Sequence, residues 1–209
     1  MIEIVLATKN PAKLEMYGKV LQRYNDLCVL SLVELDPKGL IVVDEPFNTA
    51  EENARHKAKE YSKALNRDVL AIDEAMYFDG WKDIDQPGVH SRRLFDKKTA
   101  LTDKVVYDYW LNRMKEIGQE ISGYWQRGYG FSTKEGKIKS SVNNWPFIFT
   151  PNPRGYHPNG WPASAFCIDP KTGKYFDDVV EDRKREFYDI VFMGISKVLE
   201  EWICLVKKE

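Results

Sequence analysis

Ile2-Glu3-Ile4-Val5-Leu6-Ala7-Thr8-Lys9-Asn10-Pro11-Ala12-Lys13 is the stretch that decides the fold class. Its first half, Ile2 to Ala7, is a short and nearly continuous apolar run, the pattern of a buried strand. Asn10-Pro11 then supplies an N-cap side chain followed by a proline at the first helical position, where a missing N–H costs nothing. A helix from Pro11 to about Tyr24 is expected, with Leu14, Tyr17, Gly18 and Leu21 along one face. A buried strand leading directly into a capped helix is the opening unit of an α/β sheet.

The rest of the chain extends that pattern. Strands are expected near Cys28 to Val33 and Leu40 to Val43. Thr49 with Glu52 three residues on is a capping box, opening a helix to about Leu65 with Ala54, Ala58, Tyr61 and Leu65 as its apolar stripe. Val69 to Ile72 reads as a strand ending at Asp73-Glu74, with a hairpin or extended segment through Met76-Tyr77-Phe78 to Gly80. A third helix is expected from about Thr99 to Glu116, with Gly118 as its C-cap. From Ile121 to Ile168 the chain is rich in aromatics, Gly, Pro and Asn, as antiparallel hairpins require. Helical periodicity returns through Phe187, Ile190, Val191, Gly194, Val198 and Trp202. The expectation is a single α/β domain over residues 1–209. Its central mixed β-sheet is flanked by helices, and a long cleft separates a sheet-and-helix lobe from a second lobe built on the aromatic-rich region, about 121–168.

Composition removes several function classes. Lys and Arg number 31 against 32 Asp and Glu, so the chain has no general attraction for nucleic acid polymers or anionic lipid, and phosphate binding must be local. The three cysteines, Cys28, Cys167 and Cys204, lack metal-ligand spacing and suit reduced thiols, which points to the cytoplasm. The N-terminal apolar run is too short for a signal peptide, and no stretch approaches the roughly 18 apolar residues of a membrane span. Six tryptophans fit a large core, a base-stacking cleft or a subunit interface.

Three stretches can carry chemistry. At Thr8-Lys9-Asn10-Pro11-Ala12-Lys13, helix-start N–H groups, a hydroxyl and an ammonium can together hold phosphate oxygens; an ordinary Asn-Pro cap is the plainer reading of that spacing. Asp44-Glu45 and Asp73-Glu74 close strands, and hard oxygens gathered at a sheet edge suit Mg²⁺, although solvated turn acids look the same in one sequence. Gln86-Pro87-Gly88-Val89-His90-Ser91-Arg92-Arg93 offers guanidiniums for phosphate, or a charged surface turn. Trp145, Tyr156 and Trp161 lie near Arg154 and can stack a base or fill a core. His56, His90 and His157 have no second ligand at metal spacing.

Order and spacing, taken together over about the first 95 residues, resemble the inosine/xanthosine triphosphate pyrophosphatase (Ham1-like) family. Ile4 to Lys13 is similar to its opening strand and Thr/Ser-x-Asn-x-x-Lys loop. Asp44-Glu45, Thr49, Glu51-Glu52-Asn53-Ala54 and Lys57-Ala58 resemble its acidic pair and Glu-Asn-Ala-x-x-Lys-Ala helix. Leu70-Ala71-Ile72-Asp73-Glu74 lies where the family has Leu-Ala-Asp-Asp-Ser, and Pro87 to Arg93 resembles its Pro-Gly-Val-Tyr-Ser-Ala-Arg.

The resemblance implies a Mg²⁺-dependent hydrolase converting a nucleoside triphosphate, with a non-standard purine base, to monophosphate and pyrophosphate, in a homodimeric protein. Asp73 and Lys13 take the catalytic roles. Thr8, Asn10, Lys13, Lys57, Ser91, Arg93, Trp161 and Arg185 bind substrate, and Asp44, Glu45 and Asp73 hold the metal. Glu74 is the rival base. Departures lie toward the C-terminus. The family's Gly-Phe-Gly-Tyr-Asp-Pro falls near Asn159 to Ser164, where a glycine and an aromatic remain, and its Ser-His-Arg falls near Arg183-Lys184-Arg185. Two alternatives follow: a hydrolase of a different or modified nucleotide, and a nucleotide-binding protein impaired in turnover.

Overall fold

The computed structural model describes residues 1–156 and 160–207. Along the chain run β1 (Ile2–Leu6), α1 (Pro11–Leu21), β2 (Leu27–Ser31), α2 (Leu32–Leu35), α3 (Ala50–Leu65), β3 (Val69–Phe78), α4 (Asp103–Ile117), β4 (Ile121–Ser132), β5 (Ile138–Phe149), β6 (Cys167–Ile168) and α5 (Glu181–Val206). The strands form one six-stranded sheet in the order β2-β1-β3-β4-β5-β6. β1 is parallel to both β2 and β3, and β5 is antiparallel to β6. A tight turn closed by Thr133 and Lys137 joins β4 to β5, so these two are antiparallel as well. The sheet is mixed, as the sequence predicts.

The chain divides into two compact units. The first comprises Met1–Glu74, Arg127–Asn143 and Phe187–Glu209; the second comprises Ala75–Gln126 and Asn144–Glu186.

In the first unit β3 is buried on both faces, which explains its unbroken apolar run. Leu70 and Ile72 pack with Tyr17 and Leu21 of α1, Tyr129 and Phe131 of β4, and Val191, Ile195 and Leu199 of α5. Val69 and Ala71 point the other way, toward Ala58 and Tyr61 of α3. Side chains alternate along a strand, so one face of β3 belongs to α1 and α5 and the opposite face to α3.

α3 rests almost directly on β4. A Cβ at Gly128 would lie 2.3 Å from the backbone of Ala50, and one at Gly130 would lie 2.3 Å from the carbonyl oxygen of Ala54. Four helical residues rise about 6 Å and two strand residues about 6.7 Å, so the glycine and alanine pairs stay in step. On the opposite face Ser141 Oγ donates to the Gly194 carbonyl at 2.6 Å and Asn143 Nδ2 to that of Ile190 at 2.8 Å. Side chains two apart on β5 thereby hold carbonyls four apart on α5.

The second unit owes its core to the aromatic-rich region. Phe78, Trp110, Phe147, Phe149 and Phe166 are all buried, with ring centroids 5.1–5.8 Å apart between neighbouring pairs. These rings fill a core in preference to lining a base site.

Several expectations about local structure change: the strand expected to Val33 ends at Ser31, where Leu32–Leu35 turn helical, and the helix expected from about Thr99 begins at Asp103 with Thr102 as its cap. Leu40 to Val43 is not a strand, because the Leu40 and Ile41 N–H groups donate to the buried Asp36 carboxylate at 2.8 and 2.9 Å and are not available to a ladder. β3 does not stop at Asp73-Glu74 but continues to Phe78. A strand can carry adjacent buried acids only if each is compensated, and both are.

Candidate functional site

The sequence-marked loop after β1 is pre-ordered by its own side chains. Asn10 Oδ1 accepts from Ala12 N at 2.9 Å, capping α1, and Thr8 Oγ1 accepts from Asn10 N at 3.2 Å. Thr8 is buried. Lys9 turns aside to Asp36 at 3.6 Å. Lys13, one turn into α1, places its ammonium 3.2 Å from Glu74 Oε2.

The segment before α3 is pinned by Asn53, a fully buried residue. Its Oδ1 accepts from Phe47 N and its Nδ2 donates to Phe47 O, each at 3.0 Å. Glu45 reaches Lys57 at 2.9 Å in this arrangement, and Lys57 also reaches Asp73 Oδ1 at 2.7 Å. One ammonium therefore bridges two carboxylates carried by the pre-helix loop and by β3. Asp44 faces elsewhere, pairing with His56 at 2.9 Å with its side chain 76% exposed.

Asp73 has an uneven environment. Oδ1 is held by Lys57, whereas Oδ2 is buried and has no hydrogen-bond partner within the protein. Burial pushes its carboxyl above the usual range; Lys57 and Lys13 oppose that push and Glu45 adds to it. Burial likewise works against the Lys57 ammonium, but Asp73 and Glu45 outweigh it and hold that pKa up. Glu74, the next residue, points to the opposite face. Its Oε1 accepts from Tyr17 at 3.0 Å and from Arg127 Nε at 3.1 Å, and its Oε2 faces Lys13. Burial and the nearby Glu74 keep the Tyr17 phenol protonated.

Arg127 went unmarked in the sequence, although it is a lone cation in the run Tyr124-Trp125-Gln126-Arg127-Gly128-Tyr129-Gly130-Phe131. That a charge interrupts an aromatic strand was the available signal. It is buried, and its guanidinium also lies 4.9 Å from the Phe187 ring centroid.

The remaining marked residues belong to the second unit. Arg93 donates to the Val89 carbonyl at 3.3 Å, and its neighbour Arg92 pairs with Asp103 at 2.6 Å. Ser91 is half-buried in the same turn. Trp161 lines a small pocket with Arg154, Ser164 and Asp177. Arg185 is exposed and lies 3.8 Å from Asp182. Arg183, two residues earlier, is the buried one: it holds Asp169 at 2.7 Å and covers the Trp145 ring at 4.1 Å. His157 and Asn159 lie outside the described residues.

Among the described residues no three Asp, Glu, His or Cys side chains gather into a metal cage. Mg²⁺ does not need one, since it binds through one or two carboxylates plus substrate phosphates and water. The orphaned Asp73 Oδ2, with Glu45 sharing the same ammonium, fits that mode. Among the described residues no helix is long and apolar enough to cross a membrane.

Comparison with known proteins gives the family and the fold. A model of the Ham1 family matches residues 4–187. A dITP/XTP pyrophosphatase of Bacillus anthracis is 32% identical over 120 residues, 57% of this chain and 56% of that protein. The corresponding protein of Oceanobacillus iheyensis is 29% identical over 117 residues, 56% of each. The chain thus spans little more than half the length of the curated relatives it matches. A Coxiella burnetii HAM1 protein shares the fold over 100% of both chains, with a TM-score of 0.70 and 21% identity. The Staphylococcus aureus Ham1 protein does so over 87% of this chain and 88% of its own, with a TM-score of 0.65 and 23% identity.

Proposed function

Because the chain belongs to the Ham1 family, we propose that it hydrolyses a nucleoside triphosphate bearing a non-standard purine to the monophosphate and pyrophosphate, with Mg²⁺. The observation that carries this reading is the pair of clusters built around consecutive residues of β3: Asp73 with Lys57 and Glu45, and Glu74 with Lys13. Carboxylate and ammonium groups in this combination suit a triphosphate and a divalent cation better than they suit a neutral ligand. The names of the relatives, dITP/XTP pyrophosphatases, support the choice of base.

In this reading Asp73 positions a water at the α-phosphorus and accepts its proton on the carboxylate, using the oxygen that no protein group occupies. The water oxygen bonds to that phosphorus as the bond to the bridging oxygen breaks, and pyrophosphate leaves. Lys13 and Lys57 offset the negative charge that collects on the phosphate oxygens. Glu45 is the residue that would hold Mg²⁺, with Asp73 contributing its negative charge to the site and keeping its orphaned oxygen for the proton; when bound, the ion would neutralise phosphate charge and polarise phosphoryl oxygens. Asn53 keeps Glu45 in reach by fixing the loop at Phe47. The same reading has the protein acting on free nucleotides in the cytoplasm as a homodimer.

One observation favours a different base. Of the family's base-recognition segment only Gly160 and Trp161 remain, and the buried Arg183 near its Ser-His-Arg position is committed to Asp169. A hydrolase of another modified nucleotide, or a binder without turnover, accommodates that departure. Pyrophosphate release from dITP, XTP and ITP is measured with Mg²⁺ beside the four standard deoxynucleoside triphosphates. Preference for the first group is expected. Release only from a standard or differently modified nucleotide favours the second reading, and tight binding without release removes the hydrolase.

A further inference from the structure

Glu74 stands where the family pattern has a serine, on the face of β3 opposite Asp73, and brings a negative charge to the side from which Lys13 serves the phosphates. A carboxylate 3.2 Å from that ammonium would by itself cancel the charge meant for substrate. Arg127 opposes it. Its Nε sits 3.1 Å from Glu74 Oε1, with both side chains 7% exposed, while Lys13 is 16% exposed and lies nearer to solvent. Tyr17 takes up the same oxygen at 3.0 Å. Two cations against one carboxylate leave this group with a surplus positive charge. Around Asp73, the Asp73 and Glu45 carboxylates share Lys57, and Lys13 also acts on Asp73.

We propose that Arg127 is a positioning residue for polyphosphate binding: it compensates the buried Glu74 carboxylate, so that Glu74 orients Lys13 without neutralising it. The proposal rests on reading Lys13 as a phosphate ligand, but it does not require turnover. Arg127 touches no substrate in this proposal; it acts through Glu74. The arrangement tolerates a buried carboxylate because the guanidinium offers fixed donors and remains charged at every relevant pH. Phe187 stacks on the same guanidinium at 4.9 Å and limits its freedom.

The test is the affinity of inorganic triphosphate with Mg²⁺, measured by titration calorimetry on folded protein for the unmodified chain, Arg127→Gln, Glu74→Gln and the double variant. Arg127→Gln is expected to weaken binding about tenfold, because Glu74 then keeps the Tyr17 hydroxyl and Lys13 but loses the guanidinium that balances its charge. Glu74→Gln is expected to tighten it by about threefold, and the double variant to return within about threefold of the unmodified chain. A merely structural Arg127 would alter unfolding temperature and leave the affinities of folded variants equal, and that result overturns the proposal. Should Arg127→Gln fail to fold, Glu74→Gln still decides, because weaker binding by that variant also overturns it. An unmodified protein that binds triphosphate but releases no pyrophosphate from any nucleotide removes the proposed hydrolase and leaves this inference standing. If the unmodified protein binds no triphosphate, both fail.

Discussion

Asp73 and Glu74 are neighbours in sequence, both acidic and both buried, yet they meet opposite surroundings. Glu74 has both oxygens engaged, by Tyr17, Arg127 and Lys13. Asp73 has one oxygen on Lys57 and the other without a protein partner. A saturated buried carboxylate holds other groups in place, whereas one with an orphaned oxygen keeps capacity for a ligand and bears a cost until that ligand arrives. Under the proposed reaction, that contrast assigns the positioning role to Glu74 and the catalytic one to Asp73.

Asp73→Asn is the strongest way to break that contrast. Turnover is expected to fall about 10²–10⁴-fold with nucleotide binding largely retained, as steady-state pyrophosphate release and calorimetry will show. Loss of release in Glu74→Gln with retention in Asp73→Asn would exchange the two roles.

A second saturated carboxylate sharpens the same point. Asp169, in the second unit, is fully buried and held by Arg183. Burial works against its charge, but the bonds from Arg183 and Thr172 outweigh burial and keep its carboxyl below the usual range. Its folded pKa lies below its unfolded one, so its stabilising effect is present above about pH 4 and is lost as pH falls through the lower folded value. Arg183→Met strands the carboxylate, at a cost of about 3–5 kcal/mol at neutral pH. Urea unfolding should show that gap narrowing as pH falls, first above about pH 4, where the stranded carboxylate of the variant takes up a proton, and then below it, where the unmodified chain loses the stabilisation of the Asp169–Arg183 pair; a gap constant with pH would assign Arg183 to packing over Trp145 alone.

The two faces also differ in how closely a helix approaches the sheet. Gly130→Ala sets a methyl against the backbone of α3 and is expected to cost about 1–3 kcal/mol. Gly194→Ala, on the α5 face, meets the side chains of Tyr129 and Asn143 and recovers about 1 kcal/mol of helix propensity, so its loss in thermal unfolding should be smaller. The reverse order would mean that α5, not α3, is the tightly seated helix.

The smallest effect is expected at Asp44. Its exposed side chain pairs with His56, so Asp44→Asn should change KM and the Mg²⁺ requirement by less than about threefold, in line with the low worth of exposed ion pairs. Glu45→Gln should change both by more. Equal effects would place the metal nearer the loop than Lys57 implies.

Much of this was legible in the chain itself. Asn10-Pro11, Thr49 and Gly118 mark helix ends by local chemistry and cap them as read, although Glu52 accepts from the Thr49 hydroxyl and not from its backbone N–H, so the reciprocal capping box does not close. The apolar run of β3 and the hairpin region follow from period and turn residues in the same way. Leu40 to Val43 misled because the Asp36 carboxylate, four and five residues earlier, takes the Leu40 and Ile41 N–H groups.

Local signals act within a few residues, so the sequence by itself determined the element types, the strand-to-helix opening and which residues carry charge. Which charges meet was decided only by tertiary structure. Alternation along β3 sends Asp73 to α3 and Glu74 to α1, and no spacing rule says that Arg127, 53 positions away, comes to lie against Glu74. Pairing of buried charges depends on sheet register and on the approach of helices, and the glycines at 128 and 130 permit that approach by leaving out the two Cβ atoms that α3 would strike.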